Sequence, residues 1–271
     1  MSSTASTDAW KLWRDNRVVA ARAPHGPLSL TGTYWLSDLE GGVPGVPGRW
    51  ERQGATCVTL TAARHDGLEV DNQALDGKVS LCPDTAPTPS RITHGGRLLL
   101  LILREGEYAV RVFDPASPAR TAFAGIDVWE HDPAWELAAR FTPYQGDTGT
   151  RQPRTVQVPN ADGRERGLEL VGTVAFALPG GGEHTLHVGR NADGSLQAVF
   201  RDAGSGQDGA FPFRFATLPA PAADGTTVLD LNRAYLPPCA FAAHFICPFP
   251  PPGNTLPVAV PAGERKVLTH N

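Results

Sequence analysis

Along this chain the spacing of apolar positions changes period once. Trp10, Trp13, Arg17 and Ala21 fall at helical spacing behind a Thr7-Asp8 pair suited to capping, which predicts one amphipathic helix over residues 8 to 22, ending before Pro24. From Pro27 onward the period is that of strands. Leu28-Ser-Leu30, Thr33 to Leu36, Cys57 to Leu60, Leu68-Glu-Val70 and Val79-Ser-Leu81 are short runs separated by Gly, Pro and Asp turns. Leu98 to Leu103, Glu105-Gly106-Glu107 and Tyr108 to Phe113 read as a hairpin whose first strand is covered on both faces. Thr121 to Ile126 is a further strand, and Asp132-Pro133 marks a seam, with the boundary placed near residue 130.

Beyond the seam the pattern continues as a meander. Strands are expected at Trp135 to Phe141, Thr155 to Val158, Leu168 to Leu178, His184 to Val188, Leu196 to Phe200, Phe211 to Phe215 and Thr227 to Leu231, with turns such as Asn160-Ala-Asp-Gly163 between them. From Ala234 to Pro261 regular structure fades, because eight prolines remove ladder donors. The expected fold is all-β: two antiparallel units, sandwich or barrel-like, preceded by one N-terminal helix. Residues 1–130 hold the helix and first unit, and residues 131–271 the second unit with its proline-rich segment.

Composition narrows the partners. With 24 Lys and Arg against 28 Asp and Glu, the net charge is −4, which gives no basic stripe for a phosphate backbone, so nucleic acid is not expected. The longest aliphatic run, Leu98 to Leu103, is far short of a membrane span of roughly 20 residues, and the first ten residues lack the basic and apolar regions of a secretory leader. A soluble cytoplasmic chain is expected, its four cysteines reduced, its oligomeric state left open.

Several motifs are weaker than they look. Gly204-Ser-Gly206-Gln-Asp-Gly209 spells a dinucleotide fingerprint, but Phe211-Pro212-Phe213-Arg-Phe215 alternates after it where a helix should open, so a glycine-rich turn is the reading and no cofactor is called for. Ser205 is not framed as a nucleophile elbow. His184 and His187, three apart on a strand, point to opposite faces and do not converge on a metal. Cys239, His244 and Cys247 offer three soft ligands without an evident fourth, so no metal is expected, and packed thiols are the favoured reading.

A polar set stands out near the end of the chain. Asp230, Asn232, Arg233 and Tyr235 close a strand, and Asn254 and Glu264 lie beyond the prolines. Such groups either line a pocket mouth or satisfy the backbone of an irregular segment, and the structural use is favoured. The run Val228-Leu-Asp-Leu-Asn-Arg-Ala-Tyr-Leu-Pro-Pro-Cys-Ala-Phe241, then Cys247-Pro-Phe-Pro-Pro-Pro-Gly-Asn254-Thr-Leu256 and Ala262-Gly-Glu264, resembles the carboxy-terminal signature of domain-of-unknown-function family 1684, found in bacteria and archaea. Gly26 to Leu36 looks like its opening strands, and Phe200-Arg-Asp202-Ala-Gly-Ser205-Gly206 with Arg214 like its later elements, so the resemblance spans nearly the whole chain. Two positions depart: Leu231 stands where relatives have Phe, and Phe211-Pro212-Phe213 where a Thr-Tyr precedes Gly-Arg, so no role of that tyrosine hydroxyl carries over. The resemblance implies a two-part β architecture and a polar cluster of Asp202, Arg214, Asp230, Asn232, Cys239 and Glu264. It implies no activity.

The leading expectation is a small-molecule pocket in the second unit, with Asp202, Asn232, Tyr235, Cys239 and Asn254 as ligand contacts. A carbonyl or carboxylate ligand suits the planar donors of Arg214; if the site is catalytic, the reaction is hydrolysis, with Asp230 or Glu264 as general base and Arg214 stabilising developing negative charge. The alternative is a non-catalytic module in which the same cluster is a structural lock. A third reading, thiol redox chemistry at Cys239 and Cys247, predicts a change in thiol count on mild oxidation.

Overall fold

In the computed structural model, which describes residues 2–53, 57–146 and 149–270, the amphipathic stretch forms helix α1, Ser2–Arg22. It starts earlier than the expected cap because the hydroxyls there bond sideways: Ser6 Oγ donates to Glu136 Oε2 and Thr7 Oγ1 pairs with His131 Nδ1, each at 3.4 Å.

By contact the chain divides into Ala20–Ala122 on one hand and Met1–Val19 with Phe123–Asn271 on the other. The sequence reading grouped residues 1–130 together instead. The difference arises from the buried side of α1, where the Trp10 indole N–H donates to Asn232 O at 3.0 Å and Arg17 reaches Glu264.

The unit Ala20–Ala122 carries β1 Leu30–Trp35, β2 Arg49–Gln53, β3 Cys57–Ala62, β4 Leu68–Val70, β5 Gln73–Ala74, β6 Gly77–Leu81, β7 Ile92–His94, β8 Arg97–Arg104 and β9 Glu107–Phe113, then the five-residue α2, Pro118–Ala122. They pair as a six-stranded sheet, β1-β9-β8-β7-β4-β5, and a three-stranded one, β2-β3-β6. Trp50, Leu60, Ile92, Leu99, Leu101 and Val110 share their core. The predicted hairpin is β8–β9, tightened to a two-residue turn by positive φ at Glu105 (49°) and Gly106 (82°). Its first strand is not covered throughout: Leu99, Leu101 and Ile102 are buried, whereas Leu98, Leu100 and Leu103 are half-buried.

The second unit continues with β10 Phe123–Val128, β11 Glu136–Pro143, β12 Arg154–Pro159, β13 Glu165–Leu170, β14 Gly172–Ala177, β15 Glu183–Arg190, β16 Leu196–Phe200, β17 Arg214–Leu218, β18 Thr226–Asp230 and β19 Glu264–Thr269. The sheet order β17-β16-β15-β14-β11-β18 follows the meander from β14 to β17, whereas β18 crosses back to pair with β11 at the other edge; hairpin β12–β13 and the pair β10–β19 form separate sheets. Every ladder is antiparallel, and the sheets include a half-barrel. Phe176, Leu186, Val188, Leu196, Phe200 and Leu218 form the main core; a wholly buried side chain such as Phe200 contributes about 2–3 kcal/mol.

Two local expectations fail for identifiable reasons, and one strand was not foreseen. The run Leu168 to Leu178 is two strands, because Val171 turns both backbone groups elsewhere: its N–H donates to Val188 O at 2.8 Å and its carbonyl accepts from Tyr144 N at 3.0 Å. Phe211 to Phe213 stays out of the ladder, since Pro212 has no donor and Phe211 N bonds Arg265 O at 2.8 Å; the strand begins at Arg214. Finally, chain order resumes after the prolines as β19, which pairs with β10.

Candidate functional site

Strand β16 ends at Phe200, and the next turn is built on Asp202. Its Oδ1 accepts from Gly204 N at 2.7 Å, and its own N–H donates to Ser205 Oγ at 3.0 Å, so residues 203–209 form turns and no helix opens there. Arg214, the first residue of β17, lays its guanidinium over the Phe200 ring, 5.4 Å from the centroid. Its Nη2 donates to Asp202 Oδ2 at 2.6 Å and to Val260 O at 3.2 Å, while Nη1 donates to Ala262 O. Both side chains are almost wholly buried, 7% and 3% exposed. Burial pulls the Arg214 pKa down, and Asp202, then Glu264, oppose it. These bonds, with Ser205 Oγ donating to Asp202 Oδ2 at 3.3 Å, commit both Arg214 terminal nitrogens and both carboxylate oxygens internally.

Glu264 opens β19 and is 1% exposed. Arg17 grips it with two bonds, Nε to Oε1 at 2.8 Å and Nη2 to Oε2 at 2.9 Å, and Leu236 N donates to Oε2 at 2.7 Å. The guanidinium in turn lies 4.9 Å from the Tyr235 ring centroid and 5.9 Å from that of Phe241. A carboxylate held by a bidentate cation and a backbone N–H is poorly suited to accept a substrate proton.

Asp230 stands apart from Asp202 and Arg214. It caps the 3-10 turn Leu231–Arg233, accepting from Asn232 N at 3.0 Å and Asn232 Nδ2 at 3.1 Å, and pairs with Arg233 Nε at 3.2 Å. Burial raises its pKa, with Asn232 and Arg233 opposing. Asn232 also exchanges two 3.0 Å bonds with the Asp132 backbone. Tyr235 takes a bond from Gln197 Nε2 at 2.8 Å and stands edge-on to Phe215. Asn254 clamps two strands: Nδ2 donates to His187 O (2.9 Å) and Val199 O (2.8 Å), and Oδ1 accepts from His187 N (2.7 Å). Cys239 contacts Cys247, and among the described residues no three His, Cys, Asp or Glu side chains are arranged to hold a metal ion.

Asp202, Arg214 and Glu264 do meet, along a cavity of about 350 Å³ with a mostly apolar lining that also includes Trp129, Phe211 and Arg265. Asp230, Asn232, Tyr235, Cys239 and Asn254 do not line it. Arg265 lies 4.5 Å above the Trp129 ring and pairs with Asp127 Oδ2 at 3.2 Å.

A second cavity, about 290 Å³, is bordered by Glu169, His187, Arg190, Asn191 and Gln197. His187 Nδ1 shares a short hydrogen bond with the Tyr144 hydroxyl, and Nε2 has no hydrogen-bond partner among the described residues. Burial raises the Tyr144 pKa, opposed by Arg154, whose guanidinium lies 4.3 Å from the ring centroid. The sequence reading passed over His187 because it considered only the spacing to His184; the partner that matters is 43 positions away, where local spacing carries no signal.

No helix among the described residues is long and apolar enough to cross a membrane. No curated protein matches the chain. A solved structure that it resembles is the solution NMR structure of an uncharacterized protein from Haloarcula marismortui, 32% identical, with a TM-score of 0.42 over 53% of this chain and 77% of that one. Residues 121–265 match the family model described as "Protein of unknown function (DUF1684)", so the match takes in the carboxy-terminal signature and leaves Gly26 to Leu36 outside. On that match, across more than half of its length, the chain belongs to the DUF1684 family.

Proposed function

We propose that the second unit is a non-catalytic small-molecule-binding domain, its ligand seated in the cavity beside Asp202 and Arg214. The observation that carries this is the state of the cavity's charged wall. Asp202, Arg214 and Glu264 spend their polar atoms on one another, on Arg17 and on the backbone, which makes the wall rigid and leaves it little capacity for proton transfer. The cluster is the lock, and the space it holds open is the site. At about 350 Å³ the cavity lies in the range of small-molecule sites.

The ligand class follows from what the wall leaves available. Trp129 and Phe211 give the cavity aromatic lining, and Arg265, 26% exposed, stacked on Trp129 and paired with Asp127, is a cation at the same cavity. A small planar molecule bearing a carboxylate fits both; the anion would go to Arg265 and not to Arg214.

The test is a titration of the full chain with benzoate and 2-naphthoate, followed by amide and indole NMR shifts. Saturable shifts confined to Trp129, Phe211 and Arg265, weakened about tenfold by Arg265→Gln, are expected. Unsaturable shifts, or binding indifferent to both Arg265→Gln and Trp129→Ala, would overturn the reading.

A hydrolytic reading is favoured by a different observation, the Tyr144–His187 pair beside the second cavity. If the domain is a hydrolase, His187 is the better base than Asp230 or Glu264, because its Nε2 is uncommitted and its ring is oriented through Nδ1. Ester hydrolysis that survives His187→Ala would eliminate that reading.

A further inference from the structure

Cys239 and Cys247 lie on the proline-rich segment, one on the 3-10 turn Pro238–Ala240 and the other just after Ile246. The Cys239 N–H donates to Cys247 Sγ at 3.3 Å, and both residues belong to one apolar cluster, so the two cysteines are neighbours in the fold. That proximity, followed by burial, raises the Cys239 pKa, so Cys239 keeps its proton. The Cys239 N–H aimed at Cys247 Sγ is a donor that would support developing charge on that sulfur when it reacts. Cys247 is buried against Phe213 and Phe215, but its partner borders a cavity of about 320 Å³ lined by Phe211, Phe213 and Phe249 among others. Hydrogen peroxide entering that cavity would meet Cys239, with Cys247 next to it in the cluster.

We propose that Cys239 and Cys247 form a peroxide-reactive dithiol site that closes to an intramolecular disulfide. The Cys247 thiolate attacks one peroxide oxygen; an S–O bond forms, the O–O bond breaks, and the departing hydroxide takes a proton to become water. Cys239 sulfur then attacks the Cys247 sulfenic acid; the S–S bond forms, the S–O bond breaks, and the second water leaves with the Cys239 proton. Two thiols lose two electrons and one peroxide gains them. The step needs little rearrangement, because the native fold already holds the pair together, and it is independent of whatever occupies the other cavities.

The experiment uses the full chain carrying Cys57→Ser and Cys82→Ser, which removes the two other thiols. After hydrogen peroxide treatment and quenching, thiols are counted in denaturant and peptides are mapped under non-reducing conditions. Expected is the loss of both thiols, a Cys239–Cys247 cross-linked peptide and full recovery with dithiothreitol. Cys239→Ser should leave a dimedone-trappable sulfenic acid on Cys247, and Cys247→Ser should slow peroxide consumption at least tenfold. Thiols that stay titratable, oxidation to sulfinic or sulfonic acid without a cross-link, or a cross-link forming no faster in the folded chain than in urea, would each overturn the proposal.

Discussion

Arg17 and Glu264, 247 positions apart, hold each other through two side-by-side hydrogen bonds of 2.8 and 2.9 Å. The carboxylate is 1% exposed and the guanidinium 26%, so the pair sits at the edge of the interior. Arg17→Ala would leave Glu264 with only the Leu236 N–H, and removing one partner of a buried pair costs roughly 3–5 kcal/mol. Allowing for the part of Arg17 that water screens, a loss of about 2–3 kcal/mol is expected. Urea unfolding of Arg17→Ala, Glu264→Gln and the double variant measures it; a coupling near zero would mean that the pair is incidental.

The pair Asp202–Arg214 is buried on both sides and predicts a larger effect. Asp202→Asn removes the charge that opposes the desolvation of Arg214, and should cost about 3–5 kcal/mol. Arg214→Lys keeps the charge but cannot reach Asp202, Val260 O and Ala262 O together, so it should be destabilising as well. Equal stability of Arg214→Lys and the parent chain in chemical denaturation would contradict the lock.

Asp230 predicts a pH effect of unusual sign for a carboxylate. Burial raises its folded pKa above the ordinary value of 3.8, so the folded chain binds this proton more tightly than the unfolded chain does. The contribution is complete below about pH 4 and is lost as the pH rises through the folded pKa. Asp230→Asn keeps a side-chain oxygen for the cap and cannot ionise. Its stability relative to the parent chain should therefore improve from pH 3 to pH 6, and a difference that is flat or falls over that range would contradict the reasoning.

Gly253 predicts a steric effect on His187. Its φ is +91°, and a Cβ there would stand 2.9 Å from His187 Nε2. Gly253→Ala should displace the imidazole, shift its NMR signals and lower stability by about 1–2 kcal/mol. Unchanged imidazole signals would mean that the ring is not fixed where the structure has it.

Alternation and turn chemistry are local, and for that reason the run of strands from β14 to β17, the β8–β9 hairpin and the two-unit β architecture were legible in the sequence, whereas the return of β18 to β11 was not. The errors fall where a residue's partner is remote. Thr7 bonds His131 and so does not cap; Phe211 bonds Arg265 and so leaves the ladder; α1 belongs with Asn232 and Glu264 and not with the strands that follow it. In the site, the meeting of Asp202 with Arg214 was anticipated, but nothing short of three dimensions separates them from Asp230, which carries the same residue chemistry and serves only its own turn.

The unit that contains the cavities is interrupted: its first nineteen residues are divided from the rest by Ala20–Ala122. Emerging from a ribosome, α1 meets His131 and Glu136 first and its buried partners Asn232 and Glu264 only some two hundred codons after its own synthesis, whereas the inserted unit is complete before any of them. Assembly of this protein should therefore proceed from the middle outwards, with closure of the helix onto the last strand as its terminal event.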